Sequence, residues 1–430
     1  MPPPPLAPPG LRRLIAAAGL SNLGDGIALI AWAWIASLLT RDPLLVALPP
    51  VAIRLPWFVF SLPAGVVTDR MDRLRLMRAM DLVRTLAFAG AGSAVWAATP
   101  LAPAPMAGTA APGLFAVLLG CALVVGTAEV FRDTAAQTIL PALVPAAGLE
   151  RANARLYAAE LTGNALLGPA LGATLIGAVL WSPFAANAVL YLAALTVLSG
   201  LRGGFAPPAR ARRDWRGELG EGLAFLRGAP FLRLLAVVTA TWNLCHQMVV
   251  IGLVLHVQEN LGLSAPTYGL VLAAGAVGGV AGGLVAERGI ARVGAGAAAR
   301  WSTLASALCF AGAGLAPDGW SLAAVLLVFE FQGVFWNVVS LSYRQRAIPN
   351  ALLGRVNGIY RLLSWGMMPV GLLLAGLAVR ASETVLAREW ALLAPFALAG
   401  LLTAVLTVAT WRALPRGFGT ARARRPGGGA

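Results

Sequence analysis

Lysine is absent from the 430-residue chain, so a phosphate-cradling G-x-x-x-x-G-K-[ST] loop cannot exist in it, and ATP chemistry by that motif is excluded. Cysteine is scarce: Cys121, Cys245 and Cys309 each fall inside an apolar run, with none of the spacing of a metal site or a disulfide framework. They read as buried, reduced and inert thiols. Histidine is limited to His246 and His256, too few for a metal-spaced cluster, and no nucleophile stands in a recognisable catalytic motif. Neither a cofactor nor a metal is expected. Charge is sparse as well, at 12% of residues against 58% hydrophobic, which is far outside the range of a soluble globular protein. Such a chain belongs in a bilayer.

What is present is arginine. All 33 basic residues are arginine, and the net charge is +15. In a soluble chain that excess would point to nucleic acid, but here the arginines cluster in short gaps between apolar stretches, which is the pattern of membrane topology. Apolar segments long enough to cross a hydrocarbon core of about 30 Å fall near 13–38, 43–67, 77–99, 113–140, 154–180, 183–201, 231–256, 267–287, 299–316, 320–343, 356–380 and 390–412. Twelve spans put both termini on one side. Arg12, Arg13, Arg70, Arg73, Arg75, Arg78, Arg151 and Arg155 mark that side as cytoplasmic, while the opposite gaps are nearly bare.

The expected organisation is a disordered tail over 1–12, a first six-helix bundle over 13–201, a cytoplasmic linker over 202–230, a second bundle over 231–412 and a disordered basic tail over 413–430. The first span is too long for a cleaved signal peptide. The two halves also repeat each other. "GVVTDR", Gly65 to Arg70, reappears as "GLVAER", Gly283 to Arg288; "QTILP" at Gln137 reappears as "QRAIP" at Gln345; and "RAN" at Arg151 reappears as "RVN" at Arg355. The offsets, 288 − 70 = 218, 345 − 137 = 208 and 357 − 153 = 204, drift as a duplicated unit with small indels would. Parallel six-helix repeats are a transporter architecture, with substrate bound at mid-membrane between them.

These residues resemble the major facilitator superfamily. Its signature after the second span, G-x-x-x-D-R-x-G-R-[RK], is matched by Gly65, Asp69, Arg70 and Arg73, with Asp72 in place of the second glycine and Leu74 in place of the last basic residue. Over nearly the whole chain the sequence is similar to the drug and siderophore exporter branch, which includes macrolide-efflux and enterobactin-exporter-like proteins. "SNLGDGIALIAWAWI", "AEVFRDTAAQTILPALVP" and "RQRAIPNALLGRVNGIYRLLSWGMMPVG" carry that resemblance. It implies a monomeric secondary exporter in the inner (plasma) membrane, moving a lipophilic or amphipathic molecule by alternating access against inward proton flow. A lipid flippase or a nutrient importer would use the same fold. The more distant alternative, an intramembrane enzyme built around His246, lacks any supporting motif.

The resemblance also assigns roles. Asp69 and Arg73, with Gly65 and Arg70, would latch the cytoplasmic side, with Asp133 of the fourth span as partner. A carboxylate at a helix N-terminus gains about 0.3–1 kcal/mol, an increment suited to a latch that reopens. Gly168, Pro169 and Gly172 in "GNALLGPALG" match the antiporter signature of drug exporters and read equally as a packing kink. Gly275, Gly279 and Gly283 read as a helix-packing face. Asn243, His246, Gln247 and Trp336 are candidates to line a substrate cavity.

Four charges lie where charges are expensive. Asp25, Arg54, Glu129 and Glu330 fall about 11–13 residues from the cytoplasmic ends of their spans, roughly 17–20 Å deep at 1.5 Å per residue. A charge there costs about 2.5–3.5 kcal/mol on insertion scales and so faces a partner or water. Arg54 is expected to neutralise Asp25 on the adjacent helix, leaving Glu129 or Glu330 unpartnered and available to carry a proton. Topology is directly testable: reporters fused at Gly10 and after Gly419 are expected to be active only inside the cell, and activity confined to the outside would overturn every depth in this reading.

Overall fold

A bilayer offers no water to an exposed amide, so a chain this apolar must satisfy its backbone within each segment. In the computed structural model every regular element among the described residues is a helix. The structure describes residues 9–68, 70–140, 143–145, 149–201, 203–205, 215–349 and 352–423.

The chain divides into two compact units. Unit 1 is Met1–Ala211 with Ser264–Ala273. It contains α1 (Pro9–Leu39), α2 (Pro43–Thr68), α3 (Arg73–Ala98), α4 (Pro112–Ile139), α5 (Leu149–Glu160), α6 (Gly168–Ala178) and α7 (Ser182–Ser199). Unit 2 is Arg212–Leu263 with Ala274–Ala430. It contains α8 (Trp215–Gly228), α9 (Pro230–Leu255), most of α10 (Ala265–Val293), α11 (Ala295–Leu315), α12 (Gly319–Ala347), α13 (Leu353–Trp365), α14 (Met367–Ser382), α15 (Arg388–Ala391), α16 (Ala394–Thr410) and α17 (Ala413–Ala423). Among the described residues, ten segments are long and apolar enough to cross a membrane by length and composition. The expected third and ninth spans form helices, α3 and α11, without meeting that measure; Arg73, Arg75, Arg78, Asp81 and Arg84 crowd the first half of α3.

Several boundaries differ from the sequence reading. Residues 9–12, expected in a disordered tail, begin α1, because Leu11 and Leu14 are buried with Leu198 and Leu201 and hold the helix together beyond its apolar stretch. The expected linker contains α8, whose Leu226 packs with Ile348, Val356 and Ile359. The expected C-terminal tail contains α17, anchored by buried Leu414 and Phe418 beside Phe231 and Tyr343. Residues 264–273 were placed in the second bundle but cluster with unit 1, where Tyr268 stacks on Trp34 at 5.8 Å.

Close helix contacts rest on glycine. In unit 1, side chains at Gly168 or Gly172 would collide with the α1 backbone at Gly26 and Ile27, and one at Gly26 would collide with the carbonyls of Gly163 and Asn164. Pro169 has no N–H to donate and crowds the carbonyl four residues earlier. The helix accommodates it with a seven-residue π segment, Leu161–Leu167, between α5 and α6. Unit 2 breaks at the corresponding place: α13 ends at Trp365, and α14 opens with Met367, Met368 and Pro369. The offset 369 − 169 = 200 continues the drift of the repeat.

Between α10 and α12 the positions tight against backbone are Gly278 and Gly282, with Gly275 and Gly289 close to side chains of α12. The sequence reading chose Gly275, Gly279 and Gly283, but four-residue steps drift off a 3.6-residue helix, and Gly283 meets nothing within 4 Å. A Cβ at Gly278 would fall on the Leu327 carbonyl. Gly278→Ala is therefore expected to push the helices apart and cost about 1–3 kcal/mol or more of overpacking, while Gly283→Ala keeps or raises the unfolding temperature in detergent. Equal melting of the two variants would refute this seam.

Candidate functional site

Three helices of unit 1 meet at one buried guanidinium, and a fourth, α4, adds two acids and an arginine beside it. Arg84 of α3 has a side chain with 0% exposure. Its Nη2 donates to Asp25 of α1 and to the Tyr191 hydroxyl of α7, and its Nη1 donates to Ser21 Oγ at 3.2 Å. The guanidinium lies 3.9 Å from the Tyr191 ring centroid, and the Tyr191 hydroxyl donates in turn to Asp25 Oδ1 at 2.6 Å. Arg132 of α4 lies 3.4 Å from Asp81 and 3.3 Å from Asp133. The Arg132–Asp81 contact is an ion pair by distance only, since neither oxygen of buried Asp81 accepts a hydrogen bond among the described residues. Glu129, 15% exposed, faces Arg54, 37% exposed, at 4.0 Å. The set therefore holds four carboxylates, Asp25, Asp81, Glu129 and Asp133, against three guanidiniums, Arg54, Arg84 and Arg132.

One expected pairing is corrected. Arg54 faces Glu129 rather than neutralising Asp25, which leaves Glu330 as the acid with no paired cation among the described residues. The cause is the start of α3: it begins at Arg73, four residues before the expected span, so Arg84 lies about 17 Å along the helix and reaches Asp25 first. Arg84, Asp81 and Tyr191 were missed. The available signal was the spacing of Asp81 and Arg84, three residues apart on one helix face ahead of an apolar run.

The residues expected to form the latch are only partly described. Asp69 lies outside the described residues, Gly65 has nothing near it and Arg70 is exposed in a turn. Arg73 donates to the Thr138 carbonyl of α4 at 3.0 Å, while Asp133 faces Arg132. Asp72, the departure from the family pattern, caps α3 by accepting from Arg75 N and ties in Phe205 N at 3.0 Å. Burial pushes its carboxyl up, but the Arg75 and Phe205 amides and the Arg75 charge outweigh that and hold it below the usual aspartate range. Arg78 donates to the carbonyls of Leu198, Ser199 and Leu201, and Arg13 to that of Gly200, so both close the C-terminus of α7.

Unit 2 repeats the scaffold without the charge. Gly92 lies against Phe184 in unit 1 as Gly314 lies against Phe396 in unit 2. Eight residues before these glycines stand Arg84 and Ser306; seven after the phenylalanines stand Tyr191 and Thr403. Asn243 is offset from Asp25 by 243 − 25 = 218, as Arg288 is from Arg70. Asn243 donates to the Ser364 carbonyl at 2.9 Å, and Ser306 accepts from Trp242 Nε1 and Gln332 Nε2. The rings of Trp242, His246 and Phe329 lie within 11° of parallel, with centroids 4.9–5.6 Å apart. Of the cavity candidates, Asn243 and Trp336 are buried, Trp336 in the core with Leu235 and Val339, while His246 and Gln247 are half-buried. Glu330 lies against Gly275 and Gly279 of α10, with no cation paired to it among the described residues.

Helical units repeated within one chain, glycine-seamed and broken before a proline at corresponding places, define a transporter of the major facilitator superfamily and not an enzyme. Within it the chain belongs to the transmembrane secretion effector family, whose model matches residues 2–418. It is 27% identical over 393 residues to the multidrug efflux pump Tap of Mycolicibacterium fortuitum, covering 85% of this chain and 88% of that one. It is also 27% identical over 432 residues to the uncharacterized MFS-type transporter y4rN of Sinorhizobium fredii, covering 94% of each. Among solved structures, a point mutant of the nucleoside transporter NupG shares the fold at a TM-score of 0.70 and 11% identity, over 96% of this chain and 99% of that one.

Removing one partner of a buried ion pair strands the other, at about 3–5 kcal/mol. Arg84→Leu is accordingly expected to lower the unfolding temperature and yield sharply, and the double variant Arg84→Leu with Asp25→Leu to recover much of the loss. Additive losses in the double variant, measured by thermal unfolding in detergent, would show that the two side chains are not coupled.

Proposed function

We propose that this transporter exports a lipophilic or amphipathic small molecule, of drug or siderophore-like character, driven by inward proton movement through unit 1. The reading places a monomer in the inner membrane with both termini cytoplasmic, and lets the two six-helix units alternate in access. Export is supported by the multidrug efflux pump to which the chain is 27% identical. The observation that carries the coupling is the set of four carboxylates against three guanidiniums in unit 1. One proton makes that set neutral, and a buried net charge costs several kcal/mol.

Asp81 and Asp133 share Arg132, whereas Asp25 and Glu129 each face one guanidinium, and of these two Glu129 is the proposed carrier. Protonating Asp25 would strand Arg84, which has no exposed surface; protonating Glu129 releases Arg54, which is 37% exposed and can be hydrated. Glu129→Gln is expected to abolish uphill efflux driven by a pH gradient in oriented vesicles while substrate counterflow persists. Retention of normal pH-dependent uphill efflux by Glu129→Gln would remove Glu129 from the coupling. The same result in Glu330→Gln as well would remove proton coupling through either acid.

A further inference from the structure

At one end of unit 2, α11, α16 and α17 gather arginines that have no counter-ion among the described residues. Gly296, in the first turn of α11, lies against Pro415 at the start of α17, which brings Arg412 and Arg416 to the end of the unit where Arg300 sits. The Arg300 guanidinium lies 4.8 Å from the Trp411 ring centroid and 5.6 Å from that of Trp301, and the two indoles meet edge to face at 5.4 Å. Among the described residues no carboxylate pairs with Arg300, Arg412 or Arg416, whereas Arg84 and Arg355 each have at least one and Arg132 and Arg388 at least two. Stacking, not an ion pair, thus orders Arg300, leaving its planar donor fork for an outside anion. Phosphate matches that fork in two parallel hydrogen bonds.

The surroundings say where the phosphate comes from. Trp301, Leu308 and Leu315 repeat at seven-residue spacing along α11, and all three are exposed; Leu401 and Val408 are exposed on α16. An apolar stripe therefore runs along the helix pair and ends at the arginines. An acyl chain along the stripe with its headgroup at Arg300 fits that layout; a free ion would use only the end of it. We propose that this end of unit 2 binds the phosphate of an anionic phospholipid, with Arg300 as the fork, Trp411 and Trp301 as the faces that orient it, and Arg412 and Arg416 as flanking charges.

The test is native mass spectrometry of the purified full chain with dioctanoyl phosphatidylglycerol or dioctanoyl phosphatidylcholine at equal concentration, with and without millimolar inorganic phosphate. The wild type is expected to retain the anionic lipid in excess. Arg300→Gln is expected to cut that excess about fivefold, the value of one interfacial arginine, and Trp411→Leu to cut it by freeing Arg300. Arg233→Gln, at an exposed site on α9, leaves it unchanged. Equal retention of the two lipids, an unaltered excess in Arg300→Gln, or displacement by inorganic phosphate each overturns the proposal. If Arg300→Gln fails to fold, the double variant Arg412→Gln with Arg416→Gln, at two exposed positions, carries the same test with about a 25-fold loss expected from two charges.

Discussion

A guanidinium without exposed surface must find its counter-charge inside the protein, and Arg84 sets that requirement for unit 1. Its ligands come from two helices, Ser21 and Asp25 from α1 and Tyr191 from α7, packed against its own α3. Meeting it constrains the backbone as well as the side chains. Asp25 stands between two glycines, and each has a separate reason. A side chain at Gly24 would press on Asn187 and Tyr191 of α7, and one at Gly26 on the carbonyls of Gly163 and Asn164 in the π segment. The sequence Gly24-Asp25-Gly26 thus lets α1 come close to a helix on either side of the acid. The seam to α6 through Gly168 and Gly172 follows from the same approach, and Pro169 fixes where that helix changes its winding.

The duplicated unit met the equivalent positions with neutral groups. Asn243, Ser306 and Thr403 stand in unit 2 where Asp25, Arg84 and Tyr191 stand in unit 1, and they tie helices by ordinary hydrogen bonds or packing. Net worth per bond is about 1 kcal/mol, so these three positions of unit 2 are held without the penalty for a buried charge and without the chemistry a charge there allows. The position freed from Arg84 is used differently: Ser306 orients Trp242, which stacks with His246 and Phe329. In the proposed mechanism this divides the labour, with the ion pathway in unit 1 and apolar and aromatic surface in unit 2.

Spans were legible because hydropathy and helix length are strongly coupled in a bilayer. The short helices α8 and α17 were not, since each owes its order to two or three buried side chains brought from elsewhere in its unit. Asp25, Glu129 and Arg54 could be singled out by depth alone, and all three lie in the unit 1 set. Their partners could not, because depth says nothing about rotation around the helix axis. Arg54 is next to Asp25 in the sequence of helices, yet Arg84 is next to it in space. The same rotation moved the α10 seam from Gly279 and Gly283 to Gly278 and Gly282.

A chain with no lysine also shows how much of its arginine goes beyond topology. Arg78 donates to three carbonyls at once at the end of α7, which a single ammonium on a flexible stem does poorly. Arg84, Arg344 and Arg300 lie over the rings of Tyr191, Tyr360 and Trp411, using a flat, weakly hydrated face that lysine lacks. Counting basic residues per loop gives all of these the same weight. Their geometry separates them into helix closures, buried ion pairs and stacked donors, and the stacked donor at Arg300 has no carboxylate paired to it among the described residues. An arginine ordered by stacking keeps its donor fork turned to whatever anion reaches that end of the unit.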